Sequence, residues 1–200
     1  MHKTSYYIIN AITLYRLVTA PLLLFLILYD QYFLFKWLLV LSFLTDAIDG
    51  ILARRYKVVS AMGATLDSIG DDLTVVAGIV GLFVFKADFI YPQLGWLVFL
   101  LILFLVETIA ALNRYGKTTS FHTILAKIAA ILQGTFLILA FLLPEPVGWL
   151  FYLAIAFTAL DLLEEIILVC LLPKWKTDVK GIYWVLKQDR ESARKSPAGN

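Results

Sequence analysis

Long apolar runs, broken by short polar or proline-containing stretches, dominate the chain. Six runs are long enough for a helix to cross a bilayer, which takes about 20 residues: residues 11–29, 31–52, 62–85, 92–112, 122–143 and 147–172. The breaks between them are Tyr29-Asp30-Gln31, 53–61, 86–91, 113–121 and Pro144-Glu145-Pro146. None of the runs alternates with period two, which argues against a membrane β-barrel. The pattern predicts an all-α fold, a polytopic membrane bundle of six transmembrane helices. An N-terminal interfacial segment, 1–10, precedes the membrane domain, 11–172, and a basic, aromatic cytoplasmic tail, 173–200, follows it. No internal repeat or low-complexity segment stands out.

Composition agrees with the pattern. The chain of 200 residues is 61% hydrophobic and 16% charged, with mean hydropathy +0.84, whereas soluble domains carry about 45–50% apolar and about 25% charged residues. The first apolar run is too long for the core of a signal peptide and no small-residue cleavage site follows it, so a retained helix is expected. The single cysteine, Cys170, lies in an apolar stretch and reads as a small buried hydrophobe. Basic residues set an orientation. Under six spans, fifteen of the seventeen lysines and arginines fall on the side of both termini, and only Lys36 and Lys86 on the other. The positive-inside rule then makes both termini cytoplasmic. The tail mixes Lys174, Lys176, Lys180 and Lys187 with Trp175, Tyr183 and Trp184, which suits either a segment at lipid headgroups or an ordinary solvated tail. Residues 191–200 read as disordered.

Against this apolar background, four aspartates stand out, because ionisable groups in membrane helices are costly and mark function by default. Asp46 and Asp49 lie near the cytoplasmic end of the second run, at i and i+3. Asp67 and Asp71 lie near the start of the third, at i and i+4. Each pair shares one helix face. A short basic loop joins the two helices, so the pairs are expected to face each other at similar depth. Four converging carboxylates cannot all remain ionised alone. Hard divalent cations such as Mg²⁺, Ca²⁺ or Mn²⁺ resolve the repulsion and match all-oxygen ligands. The competing expectation is plain ion pairing with Arg54, Arg55 and Lys57. Gly50, Ala53 and Gly63 allow close approach of backbone or ligand, and Arg54 is suited to a phosphate. Asp72 points about 100° away from Asp71 around the helix and is expected to flank the site.

The stretch Asp46-Ala-Ile-Asp49-Gly50-Ile-Leu-Ala53-Arg54, eight further residues, then Gly63-Ala-Thr-Leu-Asp67-Ser-Ile-Gly-Asp71 fills all eight fixed positions of D-x-x-D-G-x-x-A-R-x₈-G-x-x-x-D-x-x-x-D. On these residues the chain resembles the CDP-alcohol phosphotransferase family, and the six-helix layout resembles it over about residues 6–172. The resemblance implies an enzyme of phospholipid synthesis. It would move a phosphatidyl or other substituted phosphate group from a CDP-alcohol, such as CDP-diacylglycerol, to the hydroxyl of a second alcohol, with release of CMP. It implies that Asp46, Asp49, Asp67 and Asp71 hold divalent metal, two ions of Mg²⁺ or Mn²⁺, and that Asp71 is also the catalytic base. Gly50, Ala53, Arg54 and Gly63 would line the nucleotide and diphosphate pocket. Asn10, Thr13 and Arg16, each three residues apart, resemble the N-terminal pattern of phosphatidylglycerophosphate synthase-like members, which adds Asn10 and Thr13 to that pocket. It also implies a homodimer in a bacterial or archaeal cell membrane, with the active site on the cytoplasmic side and no nucleic-acid partner.

The acceptor is less marked. Arg114, Lys117, His122 and Lys127 form a polar, basic entry to the fifth run and suit a phosphorylated acceptor such as glycerol 3-phosphate or inositol phosphate. The stretch 107–133 does not match the pattern of phosphatidylglycerophosphate synthases, which weighs against glycerol 3-phosphate. Serine, or a CDP-linked headgroup with a lipid acceptor, is an alternative within the family. Glu107, Asp161, Glu164 and Glu165 either pair with Lys127 or Arg114 or touch a polar acceptor. A small transporter is the alternative of another class, disfavoured because the aspartates cluster at one end and no repeat is present.

Overall fold

A computed structural model describes residues 18–56, 61–177 and 179–187, with side chains given outside 46–69, 71 and 72. All regular structure among these residues is helical. In chain order the helices are α1 (Val18–Leu28), α2 (Tyr32–Tyr56), α3 (Ala61–Phe85), the short α4 (Ala87–Ile90), α5 (Leu94–Tyr115), α6 (Ile124–Leu142), α7 (Gly148–Leu171) and α8 (182–187). The six apolar runs thus return as α1, α2, α3, α5, α6 and α7. The break expected at 86–91 is itself mostly helical, as α4 and a single 3₁₀ turn, Tyr91–Gln93, lead straight into α5.

Two helical stretches are long and apolar enough to cross a membrane: Ala87–Tyr115 and Ile124–Leu142. Their apolar side chains point outward. Only 11% of the most apolar window in the first is buried, and Phe99, Leu101, Ile102, Phe104 and Ile109 on α5 are exposed. A soluble core helix would show the reverse, so lipid is the natural solvent for this face. The uninterrupted apolar parts of α1, α2 and α3 are shorter: Val18–Leu28, Tyr32–Thr45 and Leu73–Phe85. Aspartates cut the last two, and Asp161, Glu164 and Glu165 interrupt α7. The architecture is a helical membrane protein, with two clear spans rather than six among the described residues.

The chain divides into two compact units, Met1–Pro92 with Gly134–Val147, and Gln93–Gln133 with Gly148–Asn200. The first unit is built round an aromatic cluster. Phe35 and Phe141 are almost wholly buried, stacked edge to face with centroids 5.0 Å apart. Phe85 packs on Phe35 at 5.3 Å and on Tyr32 at 5.2 Å, and Tyr32 donates its hydroxyl to the Phe141 carbonyl at 2.7 Å. Edge-on aromatic pairs of this kind gain about 0.5–1.5 kcal/mol beyond area burial. The turn from α1 to α2 closes with Asp30 at φ 55, its N–H on the Ile27 carbonyl, and the Gln31 N–H on the Leu26 carbonyl. These are the two bonds of a Schellman helix ending.

In the second unit, α5 packs along α7. Tyr115 donates its hydroxyl to the carbonyls of Val169 (3.1 Å) and Leu172 (2.8 Å). The tail returns over the loop between α5 and α6: Val179 and Val185 are buried with Ala111, Phe121, Leu168, Val169 and Leu172. Trp175 donates to the Thr118 carbonyl at 3.0 Å, and the Ile182 N–H donates to Glu164 Oε1 at 3.1 Å. The tail is therefore pinned to the protein as far as residue 187, with Tyr183 and Trp184 left outward. Residues 191–200 lie outside the described residues.

Candidate active site

Positions 46, 49, 50, 53 and 54 lie on α2, and 63, 67 and 71 on α3. Six of the eight were expected there, while 53 and 54 were expected in the break after the second run and are helical instead. The side chains of all eight, like Asn10 and Thr13, lie outside the described residues. What the structure does give is the register of the two helices. Tyr32 meets Phe85 at one end of the pair. Further along, Phe35 lies against Gly81, where a Cβ would come within 2.5 Å of the ring. Seven residues on along α2 and seven back along α3, Ser42 Oγ lies 3.4 Å from Thr74 Oγ1. The helices are therefore antiparallel and matched step for step.

Seven residues are nearly two helical turns, so such positions recur on one face. A further seven along this seam on each helix gives Asp49 and Asp67. The interleaved seam starts from Leu39 and Ala77, both wholly buried. It continues to position 46 level with Gly70, which is buried and adjoins Asp71, and then to Ala53 level with Gly63. Five of the eight motif positions, 46, 49, 53, 63 and 67, thus continue two heptad seams whose described members already touch or are buried. Positions 46 and 49 are about 4.5 Å apart along the axis at about 1.5 Å per residue. Along the described part of the seam the contact chemistry passes from aromatic, at Phe35, to hydroxyl, at Ser42 and Thr74.

The hydroxyl pair is well defined. Ser42 and Thr74 are 1% and 3% exposed. Thr74 donates its one proton to the Gly70 carbonyl at 2.8 Å, so Ser42 is the donor across the helices. Sequence reasoning overlooked both residues, although spacings of seven from Ser42 to Asp49 and from Asp67 to Thr74 were there to see. By its chemistry alone, an all-carboxylate ligand set suits hard divalent ions such as Mg²⁺ or Mn²⁺. Among the described residues no group of three or more His, Cys, Asp or Glu is placed to hold a metal.

The expected acceptor residues all lie in the second unit. Arg114 closes α5 and donates Nε to the Leu172 carbonyl at 3.1 Å. Lys117 places its ammonium 5.2 Å from the Trp175 ring centre. His122 is exposed, with φ 51, and its Nε2 lies 3.4 Å from Ser120 Oγ. Lys127 is exposed in the first turn of α6. The expectation that the α7 acids pair with Lys127 or Arg114 is corrected by the structure. Asp161 accepts from Thr123 Oγ1 at 3.0 Å, Glu165 from Thr119 Oγ1 at 2.7 Å, and Glu164 from the Ile182 N–H. Loop hydroxyls reach Asp161 and Glu165, and a tail backbone N–H reaches Glu164, so no long basic side chain is needed. Glu107, 3% exposed, accepts from Thr108 at 3.2 Å through Oε2, while its Oε1 has no hydrogen-bond partner among the described residues.

Comparison with known proteins bears on the motif. Residues 6–160 match the model of the CDP-alcohol phosphatidyltransferase family. The chain is 38% identical over 94 residues to the CDP-diacylglycerol–inositol 3-phosphatidyltransferase of Saccharomyces cerevisiae, a match covering 47% of this chain and 39% of that enzyme. It is 32% identical over 158 residues to the cardiolipin synthase (CMP-forming) of Streptomyces coelicolor, covering 74% of this chain and 70% of that enzyme. The chain thus spans well under half the length of the yeast relative and about two thirds of the bacterial one. No solved structure matches. With the matched residues covering most of the chain, and all eight motif positions lying within them, the chain belongs to the CDP-alcohol phosphatidyltransferase family.

Proposed function

We propose that this protein transfers a phosphatidyl group from CDP-diacylglycerol to the hydroxyl of a small, phosphorylated alcohol, glycerol 3-phosphate or an inositol phosphate, and releases CMP. The observation that supports the proposal is the backbone register of α2 and α3, fixed by Phe35 on Gly81 and Ser42 on Thr74, which would carry positions 49 and 67 to one level. The acceptor oxygen bonds to the phosphorus that carries the diacylglycerol, the bond from that phosphorus to the CMP oxygen breaks, and the acceptor proton passes to Asp71. Asp46, Asp49, Asp67 and Asp71 would hold two ions of Mg²⁺ or Mn²⁺. Bound there, the metal supplies charge neutralisation for the diphosphate and for the departing CMP. Gly50, Ala53 and Gly63, with Asn10 and Thr13, would line the nucleotide pocket, and Arg54 would bind phosphate through paired hydrogen bonds.

Arg114, Lys117, His122 and Lys127, all exposed, are the candidates for binding an anionic acceptor. The activities of the two relatives, transfer to inositol and cardiolipin synthesis, support a polyol or glycerol-phosphate acceptor over serine. The protein would sit in a bacterial or archaeal cell membrane as a homodimer, with six spans per chain, both termini and the site cytoplasmic, and its tail at the lipid headgroups. The test is a panel of acceptors given to purified protein with CDP-diacylglycerol and Mn²⁺, read by mass spectrometry of the lipid formed. A new phosphodiester lipid from glycerol 3-phosphate or an inositol phosphate is expected. Product from serine alone would overturn the acceptor assignment.

A further inference from the structure

The hydroxyl pair one turn from the aspartates has no part in the chemistry proposed above, yet its placement is specific. Ser42 stands four residues before Asp46 and seven before Asp49. Thr74 stands three after Asp71 and seven after Asp67. Both are buried, and Thr74 is also tied to the Gly70 carbonyl, which precedes Asp71. Among the described residues, theirs is the side-chain hydrogen bond between α2 and α3 that lies nearest the motif. On its far side the helices are held by the aromatic cluster. On its near side the seam carries carboxylates, which repel one another and provide no cohesion without a cation.

We propose that Ser42 and Thr74 are positioning residues for the metal site: their bond sets the axial register that brings position 49 level with 67, and position 46 level with Gly70, next to Asp71. The proposal rests on the metal site assigned above. A slip of one residue would move one aspartate pair about 1.5 Å along the axis and about 100° around the helix relative to the other, enough to break a shared coordination shell. Hydroxyls suit this task in lipid because they bond only in one register, whereas apolar contacts slide at little cost.

The test is Mn²⁺ binding by the full-length protein in detergent, followed by electron paramagnetic resonance, which reads affinity without turnover. Ser42→Ala combined with Thr74→Val should weaken binding about tenfold to a hundredfold, the range for groups that orient metal ligands from behind. Ser42→Thr and Thr74→Ser, which keep the hydroxyls, should bind close to the wild type. Thr158→Val removes a comparable bond elsewhere, from Gln133 Nε2 at 2.6 Å, and should leave Mn²⁺ affinity unchanged. If the double variant does not fold, Ser42→Ala alone serves, because it leaves the Thr74 bond to Gly70 in place. Wild-type affinity in the Ser42 and Thr74 variants, or equal weakening by Thr158→Val, overturns the positioning role and leaves the metal site standing. No Mn²⁺ binding by the wild type, or binding unchanged by Asp49→Asn, overturns the metal site and the positioning role with it.

Discussion

Substituting alanine for three glycines probes the packing that sets the α2–α3 register. A Cβ on Gly81 would lie 2.5 Å from Phe35 Cζ, 2.8 Å from Cε1 and 3.1 Å from Phe141 Cζ. Carbon atoms rest about 3.5–4.0 Å apart, so the overlap is roughly 1 Å. The Phe35 ring has no room to yield, being wholly buried against Phe85 and Phe141. Forcing a methyl group into such a core costs about 1–3 kcal/mol, and alanine recovers up to about 1 kcal/mol of helix propensity. Gly81→Ala should therefore destabilise by about 1–2 kcal/mol. At Gly78 the new methyl would meet Leu137 Cδ1 at 3.0 Å, the mobile end of a side chain, and the two effects should nearly cancel. At Gly95 nothing lies within 4 Å, and alanine should stabilise by roughly 0.5–1 kcal/mol. Unfolding in mixed micelles, with rising SDS fraction, reads all three. Phe35→Leu, which shortens the obstructing ring, should relieve part of the Gly81→Ala cost. A Gly81→Ala protein as stable as the Gly95→Ala one, or no relief by Phe35→Leu, would refute the packing on which the register depends.

Other outcomes follow from single contacts. Tyr32→Phe removes the bond to the Phe141 carbonyl and should cost about 0.5–1.5 kcal/mol in the same unfolding assay. Thr123 donates to Asp161, and its Oγ1 accepts the Ala126 N–H at the start of α6. Thr123→Val should cost about 1–2 kcal/mol, while Thr123→Ser keeps most of the stability. Glu164→Ala removes the acceptor for the Ile182 N–H, so limited proteolysis should cut the tail faster in that variant, and Glu164→Gln should protect it.

Hydropathy alone located most helices, because a long apolar run has few other options in lipid. The second run ends near Leu52 by hydropathy, yet α2 continues to Tyr56. Ala53, Arg54 and Arg55 are good helix formers, and helix formation does not stop where apolarity does. The motif aspartates were found from charge and spacing, and the resemblance gave them roles. The sequence put the two pairs at a similar depth but not in a residue-by-residue register, because Ser42 and Thr74 look like filler in an apolar run and acquire meaning only once Phe35 is seen on Gly81. The partners of the α7 acids were missed for a similar reason. Opposite charge suggested Lys127 and Arg114, whereas the loop offers the threonine hydroxyls at shorter reach. The tail's packing was also hidden, since Val179 and Val185 are isolated apolar residues in a basic stretch.

The central claim is that the aligned aspartates perform CDP-alcohol transfer with divalent metal. It is tested most directly by CMP release from CDP-diacylglycerol, in detergent, with and without Mg²⁺ or Mn²⁺, in the presence of the acceptor that yields product. Expected is CMP formation that stops on chelation and returns with metal, and that falls about 10²–10⁴-fold in Asp71→Asn. CMP released at the same rate without metal, or full activity in Asp71→Asn and Asp49→Asn, would contradict it.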